Sequence, residues 1–85
     1  MGIYTDENLG DENGPTIFNL ASEMNFRNYG AGTYLLALCY LYGFGIKRSK
    51  EKFIKYLNKA CDLGDEGAKE TKKDINKYLD TFKGE

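Results

Sequence analysis

The sequence predicts an all-α domain built from four antiparallel helices. Apolar residues recur at steps of three and four through most of residues 15–82, which is the spacing of helices with one buried face. Residues that favour helix ends stand between these segments: Pro15, Gly43, Gly45, Ser49 and Gly64. A chain of 85 residues has room for one domain at most, and we place that domain at residues 15–85.

Residues 1–14 precede the first predicted helix and show no hydrophobic period. The tripeptide Asp-Glu-Asn occurs there twice, at 6–8 and 11–13. We therefore expect residues 1–14 to form an acidic, flexible leader. A calcium-binding loop is not expected, because the oxygen-bearing side chains lack the required spacing and no helix precedes them.

The first helix is predicted at about residues 15–26. Pro15 suits the first turn of a helix, because its missing N–H has no partner to lose there. Asn28 follows the helix and tolerates the left-handed backbone that often ends one. The apolar residues of this segment should share one helical face: Ile17, Phe18, Leu20, Ala21 and Met24.

The second helix, at about 31–43, is apolar almost all round. Such a helix has to be covered on more than one side. Gly43 and Gly45 end it, and we expect Phe44 and Ile46 to tuck beneath the resulting corner. A phosphate-binding glycine loop would need a preceding strand, and the pattern predicts none.

The third and fourth helices are predicted at about 49–63 and 66–82. Ser49 is a suitable N-cap for the third helix, Gly64 ends it, and Asp65 caps the fourth. The third helix has a buried stripe: Phe53, Ile54, Leu57, Ala60 and Cys61. The fourth has a narrower one and should cover the core from one side only: Ala68, Ile75, Tyr78, Leu79 and Phe82.

Composition restricts the function classes. Twelve basic and thirteen acidic residues give a net charge of -1, which argues against nucleic-acid binding. Residues 1–45 carry five acidic residues against one basic, whereas residues 46–85 carry eleven basic against eight acidic. The chain has no histidine, metal-ligand cluster or nucleophile–base motif, so we expect no enzyme activity, catalytic residue, metal or other cofactor.

Cysteine content and hydropathy predict the compartment. Cys39 and Cys61 lie on helical patterns among apolar neighbours and form no disulfide framework, so we expect two small buried thiols in a reducing environment. The N-terminus has no signal-peptide pattern. The longest apolar run, residues 34–42, is too short to span a bilayer. We therefore expect a cytoplasmic protein without membrane contact.

A shift of 36 residues superimposes the first predicted helix on the third. Asn28 then falls on Gly64, and Tyr42 on Tyr78. The buried positions Ile17, Phe18, Ala21 and Met24 fall on Phe53, Ile54, Leu57 and Ala60. This periodicity predicts a short αα-repeat solenoid in which one full repeat is flanked by two half-repeats.

The central segment contains a small residue followed by three short motifs, in this order: Gly32, Leu36-Ala37-x-x-Tyr40, Gly43-Phe44-Gly45-Ile46 and Lys59-Ala60-Cys61-x-x-Gly64-x-x-x-Ala68. With them, residues 32–68 resemble one Sel-one-like repeat, a relative of the tetratricopeptide repeat. Ala37 departs from the family's glycine, and Ser49 from its usual aspartate cap. Lys69 stands where a secreted branch of the family has a second cysteine, so that branch's disulfide is not expected here.

The resemblance implies a scaffold that binds a protein or peptide on the surface lined by its second and fourth helices. Mapped onto this chain, that surface comprises Tyr34, Leu38, Leu41, Tyr42, Glu70, Asp74, Lys77 and Tyr78. The alternative for Leu38 and Leu41, in so short an array, is burial under the first helix. A basic row along the third helix is either a solvated face or a contact for an acidic partner: Arg48, Lys52, Lys55 and Lys59.

Two functional hypotheses follow from these patterns. The first is a small non-catalytic protein–protein interaction module, either an adaptor or an immunity protein that blocks a bacterial toxin. The second is a structural subunit that self-associates by end-to-end stacking, for example as a homodimer. One full repeat favours this alternative, because repeat arrays usually need about three for independent stability.

Overall fold

The computed structural model describes residues 6–83, with side chains from residue 15 onward. Over that range the fold is all-helical and contains no strand, as predicted. The five α-helices are α1 (Asp6–Phe26), α2 (Gly30–Tyr42), α3 (Lys50–Asp62), α4 (Glu66–Lys73) and α5 (Ile75–Leu79), and a 3₁₀ turn follows at Asp80–Phe82. None of the described helices is long and apolar enough to cross a membrane.

The first helix begins earlier than predicted, at Asp6 instead of near residue 15. Pro15 therefore lies inside α1, where it removes one backbone hydrogen-bond donor. Residues 6–14 lack a hydrophobic period. Acidic residues in the first turn of a helix nevertheless stabilise it, because they lie beside the positive end of the helix dipole. Residues 1–5 of the expected leader lie outside the described residues, and the leader's flexibility stays a prediction.

Helices α1 and α3 both run antiparallel to α2. Gly32, near the start of α2, lies so close to Met24 that a Cβ at residue 32 would overlap the methionine side chain. Near the other end of α2, the Tyr40 ring meets the edge of the Phe18 ring at a centroid distance of 5.9 Å. A Cβ on Gly30 would lie 3.4 Å from the Cβ of Leu63. The end of α3 is therefore beside the start of α2.

Two buried clusters hold these helices together, and α2 contributes to both, as expected of a helix that is apolar almost all round. One cluster lies between α2, α3 and α4: Ala37, Leu41, Phe53, Leu57, Ala60 and Ala68. The other joins α1 to α2: Ala21, Leu36 and Cys39. Burial of these apolar side chains is the main favourable contribution to folding.

The predicted fourth helix is divided at Asp74, so the helix count of four was wrong. The Asp74 N–H donates to the Thr71 carbonyl, and the Lys77 N–H donates to the Asp74 carbonyl, at 3.1 and 3.0 Å. Both bonds span three residues, so the backbone tightens here and the regular α-helix is interrupted. The following apolar residues pack on the cluster around Phe53: Ile75, Tyr78, Leu79 and Phe82.

The turns that join α1 to α2 and α3 to α4 have matching backbones. Asn28 and Gly64 both have positive φ, 63° and 90°. Four hydrogen bonds of the first turn, 27–23, 28–25, 29–24 and 33–29, recur 36 residues later as 63–59, 64–61, 65–60 and 69–65. The periodicity seen in the sequence is thus present in the local geometry of both turns.

Residues 43–49, here called the corner, connect α2 to α3. Gly43 and Gly45 take positive φ, 80° and 72°, as glycine readily does. Phe44 and Ile46 do not tuck beneath the corner as expected, because 45% and 36% of their surfaces are exposed. The space beside α2 is taken by Arg48, whose Nε donates to the Leu41 carbonyl oxygen at 2.7 Å.

Candidate interaction surface

One side of α2 remains open between its neighbours. Residues four, seven and eleven positions after Ala31 share its helical face, which places Ala31, Leu35, Leu38 and Tyr42 in one strip. The leucines are half-buried, Ala31 is exposed, and Tyr42 exposes 55% of its surface. We call these four residues the α2 strip.

The α2 strip is bordered by α1 on one side. Phe18 packs toward Tyr40 and Tyr56, on the α3 side of α1. Helical spacing places Leu20 on the opposite flank of α1, where 54% of its surface is exposed. Leu20 therefore presents an exposed apolar side chain on that flank of α1.

Tyr34 forms the border on the α4 side. Its hydroxyl lies 2.6 Å from the Thr71 hydroxyl, which is buried. A Cβ on Gly67 would lie 2.9 Å from a Tyr34 ring carbon, so the missing side chain lets α4 approach α2 closely. Tyr34 therefore holds two helices together and exposes only part of its side chain.

The candidate residues of α2 occupy different environments. Leu41 is fully buried, so it offers a partner no surface in this structure. Leu38 and Tyr42 belong to the α2 strip. Sequence reasoning missed Ala31 and Leu35, although both could have been found by counting back from Leu38 at helical spacing.

The candidates from the predicted fourth helix lie on both sides of the Asp74 break. Glu70, Asp74 and Lys77 are exposed. The Glu70 carboxylate pairs with Lys73 at 3.3 Å, and both side chains are 71% exposed, so this pair contributes little stability. Tyr78 is half-buried, with its ring centroid 6.5 Å from that of Phe53.

The basic row separates into two kinds of residue. The Nη2 atom of Arg48 donates to the carbonyl and hydroxyl oxygens of Thr81, at 3.1 and 2.7 Å. Its guanidinium also lies 4.3 Å from the centre of the Phe82 ring. Lys59 donates to the Asn25 side-chain oxygen at 2.9 Å. These two residues at the ends of the row therefore support the fold.

Lys52 and Lys55 are the exposed members of the row. Their ammonium groups lie 5.9 Å from the Tyr40 ring centre and 5.3 Å from the Tyr56 ring centre, respectively. The two tyrosine rings stack with centroids 5.7 Å apart. A cation over an aromatic face gains modest attraction at an exposed site, and both charges remain available to an acidic group in solution.

The cysteines are both free thiols. Cys39 is buried in the cluster between α1 and α2, and this burial raises the pKa of its thiol by disfavouring the thiolate. Cys61 is half-buried. Among residues 15–83, whose side chains are described, no group of three or more cysteine, aspartate or glutamate side chains could hold a metal ion.

Comparison with known proteins assigns no family. No family model matches the chain, and no curated protein or solved structure matches it.

Proposed function

We propose that this chain is a small non-catalytic protein–protein interaction module of the Sel-one-like repeat type. The observation that carries the proposal is the α2 strip, a partly exposed apolar row on a helix otherwise covered by its neighbours. Apolar and aromatic side chains beside a polar rim are typical of the centre of a protein interface. The exposed residues that we propose as this rim are Glu70, Asp74 and Lys77.

The repeated turns support the repeat-type part of the proposal. Both turns use a residue with positive φ followed by a helix, with the same hydrogen bonds 36 residues apart. Gly32 and Ala68 are small, buried and equivalent under this shift, and each allows close helix packing. The break in the predicted fourth helix has no counterpart in α2, which limits the likeness to a short solenoid.

The partner we propose is another protein or peptide that brings apolar side chains to the α2 strip. An adaptor role and a toxin-immunity role both fit such a surface. In either role the module acts by occupying a partner's surface and needs no cofactor.

Site-specific photo-crosslinking tests the proposed surface. A photoreactive phenylalanine analogue replaces Tyr42 in the full chain, which is expressed in its native host and irradiated. Because Tyr42 is exposed, this replacement should leave the fold intact. We expect a discrete covalent adduct with one protein, identified by mass spectrometry.

The matched control carries the same analogue at Asn19, which is also exposed but lies away from the α2 strip on α1. A similar adduct from both positions would show that the α2 strip is not the binding surface. The absence of any adduct from position 42 would count against the module itself.

The second candidate function is a structural subunit that self-associates by stacking. It is favoured by two exposed apolar residues on the terminal helix α1, because Phe26 exposes 85% of its surface and Leu20 exposes 54%. Light scattering across a dilution series tests it. A mass that rises with concentration in the native chain, and not in a Leu20→Ser/Phe26→Ser variant, would favour stacking over the monomeric module.

A further inference from the structure

The corner and the last residue of α2 present a second exposed apolar surface, which shares Tyr42 with the α2 strip. Tyr42, Phe44 and Ile46 expose 55%, 45% and 36% of their surfaces. The rings of Tyr42 and Phe44 are 6.0 Å apart between centroids. These three residues alternate along the chain with Gly43 and Gly45, so one short stretch exposes three apolar side chains.

Backbone bonds hold this surface in one shape. The Phe44 N–H donates to the Cys39 carbonyl at 3.0 Å, and the Ser49 N–H donates to the Tyr40 carbonyl at 3.0 Å. Arg48 crosses beneath and donates to the Leu41 carbonyl oxygen. A surface ordered before binding loses less conformational entropy when a partner arrives.

A recess of about 440 Å³ includes in its lining Phe82, the ring beneath the Arg48 guanidinium. It opens between the start of α3 and the C-terminal segment, and its lining is Lys50, Asn76, Leu79, Asp80, Phe82 and Lys83. Phe82 and Leu79 are half-buried and provide apolar surface. Lys83 pairs with Asp80 at 3.2 Å, whereas Lys50 is exposed at the edge.

The charge around the corner is mostly positive. Residues 46–59 contain six basic residues and one acidic residue, Glu51. Lys47, Lys50, Lys52 and Lys55 are all exposed. Asp80 and Lys83 are the charged residues that line the recess on the C-terminal segment. They form an ion pair, so their charges cancel. A partner that buries the apolar residues here gains most if it also carries carboxylates.

We propose that the corner binds an acidic segment of a partner protein through an aromatic or aliphatic anchor flanked by carboxylates. The anchor packs against Phe44 and Ile46, and the carboxylates pair with Lys47 and Lys50. This inference rests on the proposed function as an interaction module, and it specifies the chemistry of the partner.

Random peptides displayed on phage provide the probe. The full chain is the bait, and the most enriched peptide is then synthesised and titrated by fluorescence polarisation. We expect the enriched peptides to share aspartate or glutamate beside aromatic or aliphatic residues, and their binding to weaken as salt is added. Affinity should fall roughly tenfold in Phe44→Ser and in Lys50→Glu, because each removes one exposed contact.

Lys72→Glu is the matched control, since it makes the same charge change at an exposed position of α4 outside the corner. Its affinity should stay within roughly twofold of the native value, because Lys72 belongs to neither the corner nor the recess and salt screens its charge. All three altered side chains lie at least partly in solvent, so circular dichroism should show an unchanged helical spectrum.

Other results would overturn the inference. Enriched peptides without carboxylates, or undiminished binding to Phe44→Ser and Lys50→Glu, would remove the corner as the site. If binding instead fell only in Leu35→Ser, the interaction module would stand and the corner would not. A selection without any binder would count against both, and self-association abolished by Lys50→Glu would assign the corner to a second copy of this chain.

Discussion

Replacing Arg48 with methionine should release the C-terminal segment and destabilise the whole domain. The variant loses the bond from Nε to the Leu41 carbonyl and two bonds to Thr81, together with the contact over Phe82. A hydrogen bond from a charged group contributes about 1.5–3 kcal/mol when partly buried, which describes the Leu41 bond. The exposed Thr81 bonds contribute much less, and the Phe82 contact about 0.5–1 kcal/mol.

The expected loss is therefore about 2–4 kcal/mol, a large share of the stability of a domain this small. Urea unfolding followed by circular dichroism measures it. With a slope near 1 kcal/mol/M, the midpoint should fall by about 2 M or more. Lys47→Met is the control, because it removes a neighbouring exposed charge.

Hydrogen exchange separates this mechanism from a general loss of packing. In Arg48→Met, amides of residues 75–82 should lose protection before those of α2 and α3, because Arg48 connects that segment to the corner. A midpoint shift no larger than that of Lys47→Met, with unchanged exchange at 75–82, would refute the role assigned to Arg48.

Three further variants test the packing of α2. Gly32→Leu should lower the free energy of unfolding by about 3 kcal/mol or prevent folding, because the new side chain overlaps Met24. Urea unfolding measures the loss, with Ala31→Leu as the control. Equal stabilities of the two variants would contradict the close approach of Gly32 to Met24. Tyr34→Phe should cost about 1 kcal/mol through the bond to Thr71, and a Thr71→Val background should abolish the difference. Burial raises the pKa of the Cys39 thiol, so the unfolded chain loses the thiol proton at a lower pH than the folded chain. The free energy of unfolding should therefore fall as the pH rises above the ordinary thiol pKa. Cys39→Ala should lack this fall, and identical pH profiles of the two proteins would contradict the effect.

The sequence was most informative where a local cause determines structure. The positive φ of Asn28 and Gly64 follows from residue types that tolerate that backbone, and the cap at Ser49 from a side chain that accepts the Lys52 N–H at 3.2 Å. These features depend on a few neighbouring residues, so the all-α class and the turn positions could be predicted.

Long-range packing determined what the sequence did not reveal. An almost wholly apolar α2 does not specify which side remains open, so the burial of Leu41 and the partial exposure of Leu35 depend on where α3 and α1 lie. Phe44 was expected inside because it is apolar, but Arg48 competes for the space beside α2 and forms hydrogen bonds there. Asp74 ends α4 because the next apolar residues pack back onto the core around Phe53.

The helix break at Asp74 also bears on how such a chain could lengthen. In a stack of helix pairs, each new pair needs an uncovered apolar edge on the last helix, so growth is a property of the terminal unit. Here the apolar side chains that follow the break pack onto the cluster around Phe53. We therefore expect that a tandem copy of the 36-residue period would stack only if an unbroken helix replaced residues 66–82.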